Sequence, residues 1–236
     1  MIENIMTVMA IILARKNSKG LKDKNIKKLN GLPLILHTIK LAKKSKLIDD
    51  IVVSTDSNII QKLAIKNGVQ APFLRPKKMS NDKATTEIAL KHCLIYMKKL
   101  KKVSPSIIVY LQITEPLRKL WMIDKCIQTL KKNKKIDTAF MAKKFYKNIW
   151  EEKGEKTLRI TKEKYGIPRQ LKNKYFREDT GLACATRPSV IMKGKRIGKK
   201  NKPIFYEHDF DYLDIHNKND LKIANFVLSK KLFKIT

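Results

Sequence analysis

The stretch TVMAIILA (Thr7 to Ala14), running at once into RKNSKGLKDKN (Arg15 to Asn25), sets how the rest of the chain is read. An unbroken β-branched and apolar run ending in a polar turn is the pattern of a strand buried on both faces of a parallel sheet. Outward from it, strand and helix alternate. Leu34 to Ser45 reads as an amphipathic helix, Asp50 to Ser54 as a strand, and Ile59 to Asn67 as a helix stopped at Gly68. Thr85 to Leu100 is a third helix, Ile107 to Gln112 a further buried strand, and Met122 to Asn133 a helix. Strands alternating with such helices need right-handed crossovers, so the expected class is α/β, a mostly parallel sheet with helices on both faces. Ligands of such sheets bind beyond the carboxyl ends of the strands.

From about Asp137 the rhythm changes. Thr138 to Lys143 and Asn148 to Glu151 look like strands of a hairpin-rich excursion, and Tyr165 to Tyr175 is irregular around Pro168. Core-like pattern returns at Leu182 to Ala185, at Ile204 to Tyr206 and in a last helix from Asp220 to Leu232. The expectation is one domain over 1–236 with an arm inserted at roughly 140–178.

Charge and cysteine usage narrow the function classes. The 236 residues carry 53 Lys+Arg against 21 Asp+Glu, a net +32, which points toward polyanions. Only eight of the cations are Arg, and the Lys residues are spread as pairs along the chain. Base-reading proteins lean on the Arg fork, so a Lys-rich solvated surface is the better reading and no specific nucleic-acid partner is expected. Three cysteines without C-x-x-C give neither a disulfide framework nor a zinc site. The run Val8 to Leu13 is too short to span a bilayer and Glu3 does not suit a secretory signal, so a cytoplasmic protein without membrane partner is expected. With four His, catalysis has to rest on Lys, Arg, Asp and amides. His37 and His92 fall in helical patterns as core-edge or surface residues, Trp121 and Trp150 read as packing residues, and the cysteines as small hydrophobes. His208, Asp209 and Asp211 read as a loop near the site mouth rather than a metal cluster.

The chemistry concentrates after the first strand. Arg15, Lys19 and Lys24, the hydroxyl of Ser18 and a flexible Gly20 follow a buried strand, where successive N–H groups form an anion-binding concavity. This set suits a triphosphate: Arg forks onto non-bridging oxygens while Lys neutralises charge that moves during transfer. Neither G-x-x-x-x-G-K-[ST] nor G-x-G-x-x-G is present.

The string Ala14 to Asn25 resembles the A-R-x-G-S-K-G-x-x-x-K-N signature of the acylneuraminate cytidylyltransferase family. Ser54-Thr55-Asp56-Ser57 is similar to its S-T-D-S, and Arg75-Pro76 with Ser80, Asp82 and Thr86 to its R-P-x-x-L-S-x-D. Leu111 to Arg118 (LQITEPLR) is similar to L-Q-P-T-S-P-L-R, and Asp214 to Leu221 (DIHNKNDL) to D-I-D-T-x-x-D-L. The resemblance implies a Rossmann-like, glycosyltransferase-A-type nucleotidyltransferase that uses CTP and Mg²⁺ to turn a nine-carbon α-keto acid sugar into its CMP-glycoside. It implies that Arg15, Lys19 and Lys24 are catalytic and that Ser18 and Asn25 join them on CTP. Arg75, Asp82 and Thr86 would line the nucleotide pocket, Gln112, Arg169 and Tyr175 the sugar side, and Asp214 the metal. It also implies a homodimer packed through the arm.

Four positions depart from the family pattern. Asn17 replaces a Gly, and Asn tolerates left-handed backbone. Ile113 and Glu115 replace Pro and Ser. His216 replaces the second metal-binding Asp; Mg²⁺ prefers oxygen, so weaker Mg²⁺ binding and tolerance of Mn²⁺ are expected. The sister activity on the eight-carbon acid Kdo is the alternative enzyme reading, against which Thr114 stands where those relatives carry a metal-binding Asp. A basic nucleic-acid-binding protein is the alternative of another class.

Overall fold

A computed structural model describes residues 7–101, 104–162, 166–171, 175–207, 210 and 213–233. His208, Asp209 and Asp211 lie outside the described residues, as do Tyr165 and the side chain of Arg169. In chain order the elements are β1 (Val8–Ala14), β2 (Lys28–Leu29), β3 (Leu32–Pro33), α1 (Leu34–Lys44), β4 (Asp50–Thr55), α2 (Asn58–Lys66), α3 (Thr86–Lys101), β5 (Ile107–Leu111) and α4 (Leu120–Lys132). There follow β6 (Thr138–Phe145), β7 (Trp150–Lys153), β8 (Lys156–Arg159), β9 (Tyr175–Glu178), β10 (Cys184–Thr186), α5 (Pro188–Met192), β11 (Asn201–Phe205) and α6 (Lys218–Ser229).

The main sheet has the order β11-β6-β10-β5-β1-β4, with β9 added on β6. β4, β1 and β5 are mutually parallel and β11 is parallel to β6, so the mostly parallel α/β sheet expected from the sequence is present. β10 runs antiparallel between β5 and β6, and β9 antiparallel to β6. The apolar run of β1 is continuous because both faces are covered. Val8, Ala10 and Ile12 pack with Leu34, Ile39, Ile123 and Ile127 of α1 and α4, whereas Met9 and Ile11 pack with Leu90, Leu94 and Met97 of α3. Each such Leu or Ile contributes roughly 1.5–3 kcal/mol by leaving water.

Within the 140–178 segment, β6 belongs to the sheet. It is buried from Thr138 to Ala142 and emerges only toward Phe145. The chain leaves after Phe145, forms the exposed β7–β8 hairpin, and returns as β9 on the outer half of β6, from Phe145↔Tyr175 to Ala142↔Glu178. Boundaries in this half shift from expectation: the core-like pattern at Leu182 to Ala185 leads into a strand at Cys184–Thr186, that at Ile204 to Tyr206 into one at Asn201–Phe205, the strand read at Asn148 to Glu151 is Trp150–Lys153, and the last helix is Lys218–Ser229. Trp121 and Trp150 are not packing residues; they are 43% and 52% exposed, one on the solvent side of α4 and one on the hairpin away from the sheet. Cys93, Cys126 and Cys184 are buried free thiols, and no described helix is long and apolar enough to cross a membrane.

Candidate active site

The parallel register of β4, β1 and β5 aligns their carboxyl ends, so Arg15, Asp56 and Gln112 follow three neighbouring strands at one edge. A cavity of about 480 Å³ opens there. Ten of the thirteen residues picked from the sequence line it: Arg15, Ser18, Lys19, Lys24, Asn25, Arg75, Asp82, Thr86, Gln112 and His216.

The loop after β1 is held from behind. The Lys16 amide donates to Asp56 Oδ1 at 2.6 Å, and Asn25 Nδ2 donates to the Arg15 carbonyl at 2.8 Å, closing the loop into an arc. Asn25 is buried for that reason. The loop's left-handed residue is Asp23, at φ 55°; Asn17 is not among the positive-φ residues, so its replacement of Gly makes no conformational demand. Gly20 is not there for a left-handed conformation either. A Cβ at Gly20 would stand 2.3 Å from the His216 carbonyl oxygen, so the glycine is a close approach between the phosphate loop and the segment before α6.

Cations reach the cavity from separate segments. Arg15 Nη1 lies 2.9 Å and Lys19 Nζ 3.4 Å from the carboxylate of Asp82, which holds both where an anionic ligand can displace it. Lys24 Nζ donates to the Ile215 carbonyl at 2.7 Å. Burial pulls the Lys24 ammonium below the ordinary lysine range, against the attraction of Asp214. Arg75 is buried, its amide bonded to the Thr55 carbonyl at 2.7 Å and its Nε to Ser80 Oγ at 3.0 Å. Burial lowers its pKa and Asp56 opposes the shift; the guanidinium stays charged.

The other wall is the turn after β5. Gln112 Nε2 donates to Thr114 Oγ1 at 2.7 Å, and the Gln112 amide to the Gly181 carbonyl at 3.0 Å. Beneath it, the fully buried Arg118 donates to the carbonyls of Leu182, Gln112 and Gly181, the last at 2.7 Å. Sequence reasoning placed Arg118 in a motif without a role; it is the clamp that joins this turn to the strand entering β10. The Ile215 amide donates to the Thr114 carbonyl at 2.9 Å, which sets Asp214, Ile215 and His216 beside the turn. Asp220, in a capping box with Asn217, accepts from the His216 amide at 2.8 Å and fixes that segment to the start of α6. Glu115, in place of the family's Ser, has its carboxyl pushed up to about 8 by burial and next by the charge of Asp214.

Three picked residues are not brought into the cavity lining. Asp214 stands just behind it, Oδ2 at 3.0 Å from His216 Nε2 and Oδ1 buried with no hydrogen-bond partner among the described residues. Tyr175 begins β9 and stacks on Phe145 at 6.2 Å between ring centres. Arg169 lies in a short 3₁₀ turn, Arg169–Leu171. Among the described residues no group of three or more His, Cys, Asp or Glu is arranged to hold a metal. The orphaned Asp214 oxygen fits a hard cation whose other ligands come from substrate and water.

The cytidylyltransferase family model matches residues 9–216. A Campylobacter coli protein named post-translational flagellin modification protein B is 30% identical over 229 residues, 95% of this chain and 96% of that one. The CMP-N,N'-diacetyllegionaminic acid synthase of Campylobacter jejuni is 30% identical over 227 residues, again 95% and 96% of the two chains. Among solved structures, CMP:2-keto-3-deoxy-manno-octonic acid synthetase complexed with CTP superposes at a TM-score of 0.69 and 14% identity, over 95% of this chain and 99% of that one, a likeness of fold. The matched span begins inside β1 and ends at His216, so it takes in both walls of the cavity: the chain belongs to the cytidylyltransferase family.

Proposed function

We propose that the protein transfers CMP from CTP to the anomeric hydroxyl of a nine-carbon α-keto acid sugar of the sialic, legionaminic or pseudaminic type. The observation that carries this is the convergence of Arg15, Lys19, Lys24 and Arg75 on one cavity bordered by Gln112. The anomeric oxygen attacks the α-phosphorus. A new P–O bond forms there, the bond to the oxygen bridging to the β-phosphorus breaks, and pyrophosphate leaves with that electron pair; the hydroxyl proton passes to solvent. Arg15 and Lys19 leave Asp82 for the β- and γ-phosphates, and Lys24, held by Ile215, neutralises charge building on the leaving group. Ser18 and Asn25 complete the phosphate cradle, and Arg75, Asp82 and Thr86 line the nucleotide pocket. Gln112, Tyr175 and Arg169 are assigned to the sugar. Neutralisation by pre-placed cations requires no nucleophilic side chain.

Mg²⁺ would be held by Asp214, phosphate oxygens and water, with His216 alongside; when bound it adds positive charge against the pyrophosphate. The imidazole at position 216 supports tolerance of Mn²⁺. A homodimer through the arm is supported by the exposed side chains of Trp150, Leu158, Ile160 and Phe176, and light scattering at twice the chain mass checks it. The cytoplasm, which supplies CTP and keeps thiols reduced, is the proposed compartment. The deciding experiment measures pyrophosphate release from CTP with Mg²⁺ or Mn²⁺ over a panel of neuraminic, legionaminic, pseudaminic and Kdo acids. Turnover with a nine-carbon acid is expected; turnover with Kdo alone, or with none while the protein is retained on DNA at physiological salt, refutes the assignment.

A further inference from the structure

Arg196 sits behind the cavity wall. Gly194, at φ 73°, turns the chain after α5, and the Arg196 carbonyl accepts from Thr138 Oγ1 at 3.5 Å, anchoring its backbone to β6. From there the guanidinium reaches three elements. Nη1 lies 3.6 Å from Glu87 Oε1, Nη2 lies 3.3 Å from Glu178 Oε1, and the guanidinium carbon stands 5.6 Å from the centre of the Tyr110 ring. Glu87 is the second residue of α3, next to Thr86 in the cavity wall. Glu178 ends β9, the strand that returns from the arm, and Thr180 Oγ1 donates to the same Glu178 oxygen at 3.1 Å. Tyr110 floors the cavity, hydrogen-bonded to Thr86 and 3.5 Å from Gln112 Oε1. The Arg196 side chain is 23% exposed and its Nε is buried with no partner among the described residues, so the cation depends on the two carboxylates for compensation.

We infer that Arg196 is a positioning residue that couples the two halves of the cleft, tying the start of α3 on the nucleotide side to the end of β9 on the arm side. Its planar fork gives each carboxylate its own nitrogen, which a single ammonium cannot do. A nucleotide that orders the start of α3 then also orders β9 and the Thr180-Gly181 step against Gln112. The inference rests on CTP occupying the cavity and is independent of which sugar is used.

Hydrogen exchange of the full chain, with and without CTP and Mg²⁺, tests it. In the wild type CTP is expected to slow exchange in residues 15–25 and 85–90 and also in 175–181. Glu178→Gln keeps the Glu87 pair and the Tyr110 contact. In it, and in Arg196→Lys, slowing at 15–25 and 85–90 should persist while that at 175–181 falls about fivefold or more. In turnover the same variants should raise KM for the acid sugar and leave KM for CTP unchanged, a split that general loosening of the fold would not produce. Equal protection of 175–181 in wild type and Glu178→Gln, or none there in the wild type although 15–25 is protected, overturns the coupling alone. No protection at 15–25 in the wild type overturns CTP occupancy and the coupling with it.

Discussion

Gly20→Ala puts one methyl group where the phosphate loop meets the segment before α6. The added Cβ would stand 2.3 Å from the His216 carbonyl oxygen and 3.3 Å from its carbon, whereas ordinary contact begins at 3.4 Å, so one backbone must retreat by about 1.1 Å. Neither side yields cheaply. His216 is held by its amide bond to Asp220 and Ile215 by its bond to Thr114, so the loop carrying Lys19 and Lys24 has to move. The 2.7 Å bond from Lys24 Nζ to the Ile215 carbonyl then stretches past hydrogen-bonding reach. Misplacement of catalytic groups by about 1 Å costs on the order of 10²-fold in rate, roughly 2.7 kcal/mol of transition-state stabilisation. The loop is exposed and the sheet core untouched, so global stability should drop by no more than about 1–2 kcal/mol. The assay is kcat/KM for CTP by pyrophosphate release at saturating sugar, beside a far-ultraviolet circular dichroism melt. A Gly20→Ala enzyme within threefold of wild type refutes the close-approach argument. Asn17→Gly, three residues away and without a left-handed requirement, should stay within about twofold of wild type and serves as the internal control.

Lys24→Ala should lower kcat by two or more orders of magnitude with the melt little changed, since the half-buried ammonium is lost from the leaving-group side. Because burial lowers the Lys24 pKa, the cation is lost as pH rises through a value below the ordinary 10.5; kcat/KM for CTP should fall on that alkaline side, and Lys24→Arg should move the fall to higher pH. Glu115 gives a stability signal of opposite sense. Its folded carboxyl titrates near 8 against an ordinary 4.5, so the folded state resists an ionisation that the unfolded chain undergoes, and the penalty grows from about pH 4.5 to pH 8. Glu115→Gln in EDTA should therefore match wild type near pH 4.5 and be about 2 kcal/mol more stable at pH 8, after allowance for screening of a partly exposed group; equal melts at both pH values refute the shift. Arg118→Met takes the donor from the Leu182 and Gln112 carbonyls, while that of Gly181 keeps the Gln112 amide, and should cost roughly 2–4 kcal/mol in chemical denaturation, so that loss of activity follows loss of fold.

What the sequence made legible is what is local. The β1 run, α1, α2, α3, β5 and α4 follow from hydrophobic period and punctuation, each within about two residues. Reversal of β10 was not legible, because three buried residues between longer elements carry no sign of direction. The exposed Trp121 and Trp150 show the same limit from the other side: an aromatic in a patterned segment says nothing of whether a second layer covers it. The site residues were legible as types, since cations after a buried strand need an anion, yet the reasons they work lie in partners far along the chain. Lys24 is set by Ile215, Gly20 by His216, and Arg15 and Lys19 by Asp82. Each of these pairings joins the loop after β1 to an element that folding alone brings near. The same holds for Arg196, which no motif contains: its reach to Glu87, Glu178 and Tyr110 exists only once α3, β9 and β5 are assembled. A net charge of +32 thus divides by geometry and not by residue type. The cations that matter are those whose other neighbours are fixed backbone carbonyls and carboxylates, because only these hold a defined position when a triphosphate arrives, and the many solvated lysines can at most raise the local concentration of anions at low salt.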